Sequence, residues 1–132
     1  MSEQNVELVR RAADAFVALD FEGWKAATSD EIRLYPRAEE PGVKECYEGM
    51  DGVLAYLGNW YSGWDEYSAE PVRFIDEGDY VIVDFLEVGI AKGSEIRIEE
   101  NFAHAFKVKD GKIVEWRMFG PVDDAVAAVR AG

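Results

Sequence analysis

The stretch that decides the fold is Asp79–Phe106, DYVIVDFLEVGIAKGSEIRIEENFAHAF. It reads as an alternating strand over Tyr80–Ala91, a turn at Gly93-Ser94, and a second alternating strand over Ser94–Lys109. Asp110-Gly111 then marks a two-residue hairpin turn into a further strand, Lys112–Pro121. Upstream, Glu77-Gly78-Asp79 is a turn signal after a strand at about Ala69–Ile75. Consecutive strands on tight turns give a curved antiparallel sheet. Wrapped around the helices that precede it, such a sheet leaves an apolar pocket in the middle.

Those helices are legible in the first half of the chain. Val6, Val9, Ala13, Phe16 and Val17 recur at helical spacing between Glu7, Arg10, Arg11 and Asp14. Ser2 is placed to cap this helix, and Glu3 suits its positive end. Asp20 reads as the cap of a second, shorter helix carrying Trp24. Glu31–Pro36 alternates as a short strand that Pro36 ends. An irregular loop, Arg37–Glu48, follows. Asp51 is placed to cap a third helix, on which Val53, Leu57, Trp60 and Trp64 form one stripe. Val122–Arg130 has room for a last helical turn or two.

The chain of 132 residues reads as one domain, residues 1–132, large enough to fold without a disulfide or metal. Its single cysteine, Cys46, fits a reducing compartment. No apolar run approaches the length of a membrane span, and the first residues are polar and acidic, so a cytoplasmic location is expected. A net charge of −13 argues against nucleic acid and membrane surfaces as partners, since both demand a positive face. Solubility is the plain reading of the acidity. One histidine and one cysteine make no ligand set, so no metal is expected. No phosphate loop, dinucleotide glycine motif or serine nucleophile elbow is present, and no cofactor is expected.

Several stretches carry a family resemblance. They are Phe21-Glu22-Gly23, the segment from Tyr35 to Pro41, Tyr47 to Val53, Trp60 with Trp64, and Phe102-Ala103-His104-Ala105-Phe106 leading into Asp110-Gly111-Lys112-Ile113-Val114. Together they resemble the SnoaL-like, polyketide cyclase-like proteins of the nuclear-transport-factor-2-like superfamily. The resemblance implies an α+β, cystatin-like cone: a strongly curved antiparallel sheet with three N-terminal helices enclosing a pocket. It also implies a homodimer through the outer sheet face. The superfamily holds ketosteroid isomerases, cyclases, epoxide hydrolases and non-catalytic binders, so the fold does not fix the function.

Residue by residue, the known catalytic sets are absent. The isomerase base slot holds Tyr35, its acidic donor slot holds Ala103, and its tyrosine falls near Ala12 or Ala13. The epoxide hydrolase acid after Trp116-Arg117 is replaced by Met118. The cyclase acid has only Asp123 and Asp124 near its place.

His104, Asp84 and Tyr35 are therefore the catalytic candidates. His104 titrates nearest neutral pH. Asp84 and Glu87 interrupt an apolar strand with opposite parity, so one of them points inward. Alternation pairs Ala103 with Asn101 and Ala105. Small residues leave room for a ligand, so this side is expected to face the pocket and His104 to face out. Tyr35, Arg37, Trp60, Trp64, Asn101, Ala103, Trp116 and Met118 are the expected ligand contacts, with Val114, Trp116 and Met118 as floor. Ile96, Ile98, Phe102, Phe106, Val108 and Phe119 are expected on the outer, dimer-forming face.

Two functions follow. One is a pocket for a small apolar or ring-bearing molecule, as in a cofactor-free isomerase, cyclase or hydrolase. The other is a non-catalytic binder or dimeric interaction domain. What separates them is whether polar side chains converge inside the pocket.

Overall fold

The computed structural model describes residues 2–131, except for the Ser2 side chain, so the expected Ser2 cap lies outside the described residues. The elements run α1 (Ser2–Val17), α2 (Phe21–Ala26), β1 (Thr28–Tyr35), β2 (Tyr47–Glu48), α3 (Gly49–Ser62), β3 (Trp64–Glu77), β4 (Tyr80–Ala91), β5 (Arg97–Lys109), β6 (Lys112–Phe119) and α4 (Val122–Arg130). The six strands form one sheet in the order β2-β1-β6-β5-β4-β3. All neighbours are antiparallel except β1 and β6, which run parallel, Leu34 beside Trp116 and Tyr35 beside Arg117. The sheet is thus mixed rather than purely antiparallel. The reason is the connection: β1 leaves through β2 and α3, and the chain returns to its side only after three more strands.

Local chemistry explains most boundaries. The Asp20 carboxylate accepts from Gly23 N at 3.0 Å and caps α2 as expected. The Asp110-Gly111 turn has positive φ at both residues, +53° and +74°, the geometry a two-residue hairpin needs. Asp51 lies in the first turn of α3 and not at its cap. The cap is Glu48, which makes no side-chain cap bond. Trp64 is the first residue of β3, because α3 stops at its C-cap Gly63. The Trp64 indole instead lies across Gly89, where a Cβ would stand 2.6 Å from the ring. Register shifts in β3 around Pro71 and between β5 and β6 at Val114 bend the sheet.

The concave face carries the main core. Val9, Ala12 and Ala13 of α1, Trp24 of α2 and Val53, Tyr56 and Leu57 of α3 pack against Val81, Val83, Phe85, Phe106, Ile113 and Trp116. The convex face carries a second cluster, in which Ala125 of α4 packs on Ile82, Ala103 and Ala105. Arg130 fastens the end of α4 by two hydrogen bonds to Glu77, each 3.0 Å. Here the sequence reading is reversed. Ala103 and Ala105 are small so that a helix can approach the sheet, not so that a ligand can. Phe102, His104 and Phe106 face inward. Among the described residues no helix is long and apolar enough to cross a membrane.

Candidate functional site

Between α1, α2, α3 and the concave sheet face lies a cavity lined chiefly by aromatic rings, among them Phe16, Trp24, Trp60, Tyr67, Phe85 and Trp116. Its volume, for the centres of water-sized molecules, is about 40 Å³. By that measure one water needs about 10–15 Å³, so the space suits a compact group and not an extended polycyclic molecule. Arg37, Glu40, Tyr56, Glu87 and His104 are its other polar walls.

Four of the lining side chains form one hydrogen-bonded chain across four neighbouring strands. Trp116 of β6 donates its indole N–H to His104 Nδ1 at 2.8 Å. His104 Nε2, on β5, lies 3.0 Å from Glu87 Oε2 on β4. Tyr67 of β3 donates its hydroxyl to Glu87 Oε1 at 2.5 Å. An indole can only donate, so His104 Nδ1 must be the acceptor and its proton sits on Nε2. His104 is thereby a neutral imidazole that donates to Glu87. A proton on Nδ1 would set two N–H groups against each other. Glu87 is 7% exposed, and both its oxygens are held by neutral donors. It is the carboxylate around which the candidate site is built, one of few polar groups in an apolar cleft.

The phenols around it stay protonated. Burial, and then the charge of Glu87, pushes Tyr61 up to about 12. Burial and the same carboxylate raise Tyr67 further. Tyr56 is raised by burial first and then by Glu40, which accepts its hydroxyl at 2.8 Å. Glu40 thus pairs with Tyr56. The Arg37 guanidinium rests over the Phe102 ring, 4.6 Å from its centroid. The indole Nε1 of Trp24 is buried and has no partner in the structure.

Of the residues expected at the site, His104, Arg37, Trp60, Trp116 and Met118 line the cavity. Trp64 lies tilted against Trp60, ring centroids 5.5 Å apart, and lines adjoining grooves, not the cavity itself. Four others are on the wrong face. Asp84 sits opposite Ala103 on the convex side, where the Asn101 amide approaches it at 3.5 Å. Tyr35 alternates with the buried Ile32 and Leu34 and so also faces out. Val114 is skipped in the strand register and forms no floor. Of the undecided pair Asp84 and Glu87, Glu87 is the inward one. Tyr56 and Tyr67 also line the cavity, outside the expected contacts. Parity with the inward Phe85 marks Glu87 in the sequence, whereas Tyr67 becomes visible only once β3 is known to begin at Trp64. Among the described residues no three His, Cys, Asp or Glu side chains converge as a metal site.

The sequence matches the SnoaL-like domain family over residues 9–116. The chain belongs to that family. Among solved structures, this SnoaL-like chain is similar to a nuclear-transport-factor-2-like protein of unknown function from Burkholderia pseudomallei, at 20% identity and a TM-score of 0.79, over 96% of this chain and 97% of the other. A protein described as a SnoaL-like polyketide cyclase from Jannaschia sp. matches at 22% identity and 0.77, over 99% and 94%. TerC, co-crystallised with polyporic acid, matches at 18% and 0.78, over 96% and 98%. At these identities the likeness shows the fold alone. No curated protein matches the chain.

Proposed function

We propose that this SnoaL-like protein is a small-molecule pocket of the isomerase or cyclase type, in which Glu87 accepts a proton from a compact, ring-bearing substrate without a cofactor. The observation that carries the proposal is the buried Glu87 carboxylate, fixed by Tyr67 and His104 inside an otherwise aromatic cavity. A base must be held in place, and Tyr67 and His104 hold this one on the cavity wall. His104 is a positioning residue, since both its nitrogens are occupied. The test is deuterium exchange at the acidic methylene of benzoylacetone, followed by proton NMR. Exchange faster than buffer alone supports the proposal. Binding without acceleration favours the second reading, a non-catalytic binder.

Homodimerisation through the outer sheet face is also our proposal, as is a cytoplasmic location on the strength of the lone Cys46. Of the residues expected on the dimer face, Ile96 and Ile98 are exposed and the other four lie elsewhere. Phe102 and Phe106 line the cavity, Val108 is in the concave core, and Phe119 packs with the α4 cluster. Leu86 and Val88 of β4, half-buried on the convex face and outside the α4 cluster, now supply the apolar strip. Sedimentation at micromolar concentration is expected to show a dimer that Leu86→Glu dissociates. A monomeric wild type contradicts this.

A further inference from the structure

The cavity holds an electrostatic imbalance. Glu87 is the charge at its floor, and among the described residues its only ion-pair contact is His104. His104 cannot supply a positive charge without losing the hydrogen bond from Trp116. Elsewhere in the lining, Arg37 and Glu40 bring one charge of each sign, so the lining as a whole is left with one uncompensated carboxylate. Leaving a buried carboxylate without a cation is costly. A fold that only needed to be stable would do better with apolar residues in place of Glu87 and its two donors together.

The walls point the same way. The negative faces of aromatic rings attract cations, most strongly when water is excluded. Trp60, Tyr67, Phe85 and Trp116 surround the space next to the carboxylate. The cavity is compact, which suits a rounded head group. The chain's net charge of −13 raises the local concentration of cations around the molecule.

We infer that the pocket takes the positively charged head of a small organic amine, methylated or protonated, against Glu87 and the surrounding rings. This inference rests on the pocket reading above, and it holds whether the bound molecule is turned over or only bound. The cation would supply the charge that the protein withholds, and the rings would enclose its methyl groups.

The test compares choline with neohexanol, its neutral isostere in which carbon replaces nitrogen. Both keep the same hydroxyl and nearly the same shape, so only the charge differs. Binding is measured by calorimetry at low salt for the wild type and for Glu87→Gln. Wild type is expected to prefer choline by about tenfold or more, the scale of one desolvated cation–π and carboxylate contact. In Glu87→Gln the two affinities should converge, and continued binding of neohexanol shows that the pocket is still formed. Equal affinities in the wild type, a preference that survives Glu87→Gln, or failure of both probes to bind each overturns the inference. If benzoylacetone still exchanges in any of those cases, the pocket reading stands and only the cation is wrong. If neither amine, alcohol nor ketone is bound or exchanged, both readings fall.

Discussion

Glu87→Gln is expected to slow the exchange of benzoylacetone by about 10²–10⁴-fold, the usual contribution of a positioned base, while leaving the protein folded. The amide has the shape of the carboxylate and can keep its neighbours satisfied. Its oxygen can accept from His104 Nε2, and its NH₂ can donate to the Tyr67 oxygen once that hydroxyl turns away. What disappears is the lone pair that takes the proton and the charge that makes it basic. Glu87→Leu behaves differently. It strands the His104 N–H and the Tyr67 hydroxyl, at a cost of about 1–3 kcal/mol for each buried group left unpaired. Exchange rates for Glu87→Gln, beside urea melts for both variants, separate the two effects. A Glu87→Gln protein that exchanges as fast as wild type removes Glu87 from the chemistry.

Trp24→Ala is expected to lower stability by about 3–5 kcal/mol. For a domain of ordinary stability, about 5–15 kcal/mol in total, that is a large share. Trp24 is 1% exposed and sits at the centre of an aromatic cluster, with ring centroids 5.2 Å from Trp116, 6.2 Å from Phe16 and 6.4 Å from Phe106. Truncation leaves a hole that opens into the existing cavity, beside Phe16 of α1, Phe106 of β5 and Trp116 of β6. Trp24→Phe should cost much less. It keeps a ring in the cluster and removes the Nε1–H, which is buried without a partner. The check is the midpoint of urea unfolding, with an unchanged slope showing that the denatured state is not the cause. If Trp24→Phe costs as much as Trp24→Ala, the indole N–H has a partner that the structure does not show.

The fold was largely legible because it is written in local chemistry. The Asp20 cap, the Asp110-Gly111 turn and the helical spacing of Val9, Ala13 and Phe16 need only a few neighbouring residues to be read. The parallel pairing of β1 with β6 was not legible, since it brings together residues about eighty positions apart. The site turned on a single question of parity. A one-residue error in which side of a strand faces inward moves every side chain to the other face. Reading Ala103 as pocket placed His104 outside. The small side chains of β5 in fact accommodate α4, a helix of only nine residues whose apolar face, Val122, Ala125, Val126 and Val129, needs that partner. Trp64 departs from the helix its spacing predicts for a related reason. Its spacing from Trp60 fits a helix, and only Gly63 marks the change to a strand.

The account centres on the chain of hydrogen bonds from Trp116 through His104 to Glu87. Nitrogen-15 NMR of the imidazole tests it directly, and with one histidine in the protein the signals need no assignment. At neutral pH the account predicts a neutral ring protonated on Nε2, with Nδ1 bare and shifted when Trp116→Phe takes away its donor. A ring protonated on Nδ1, or one charged at neutral pH, would contradict it, because neither can accept the Trp116 hydrogen bond.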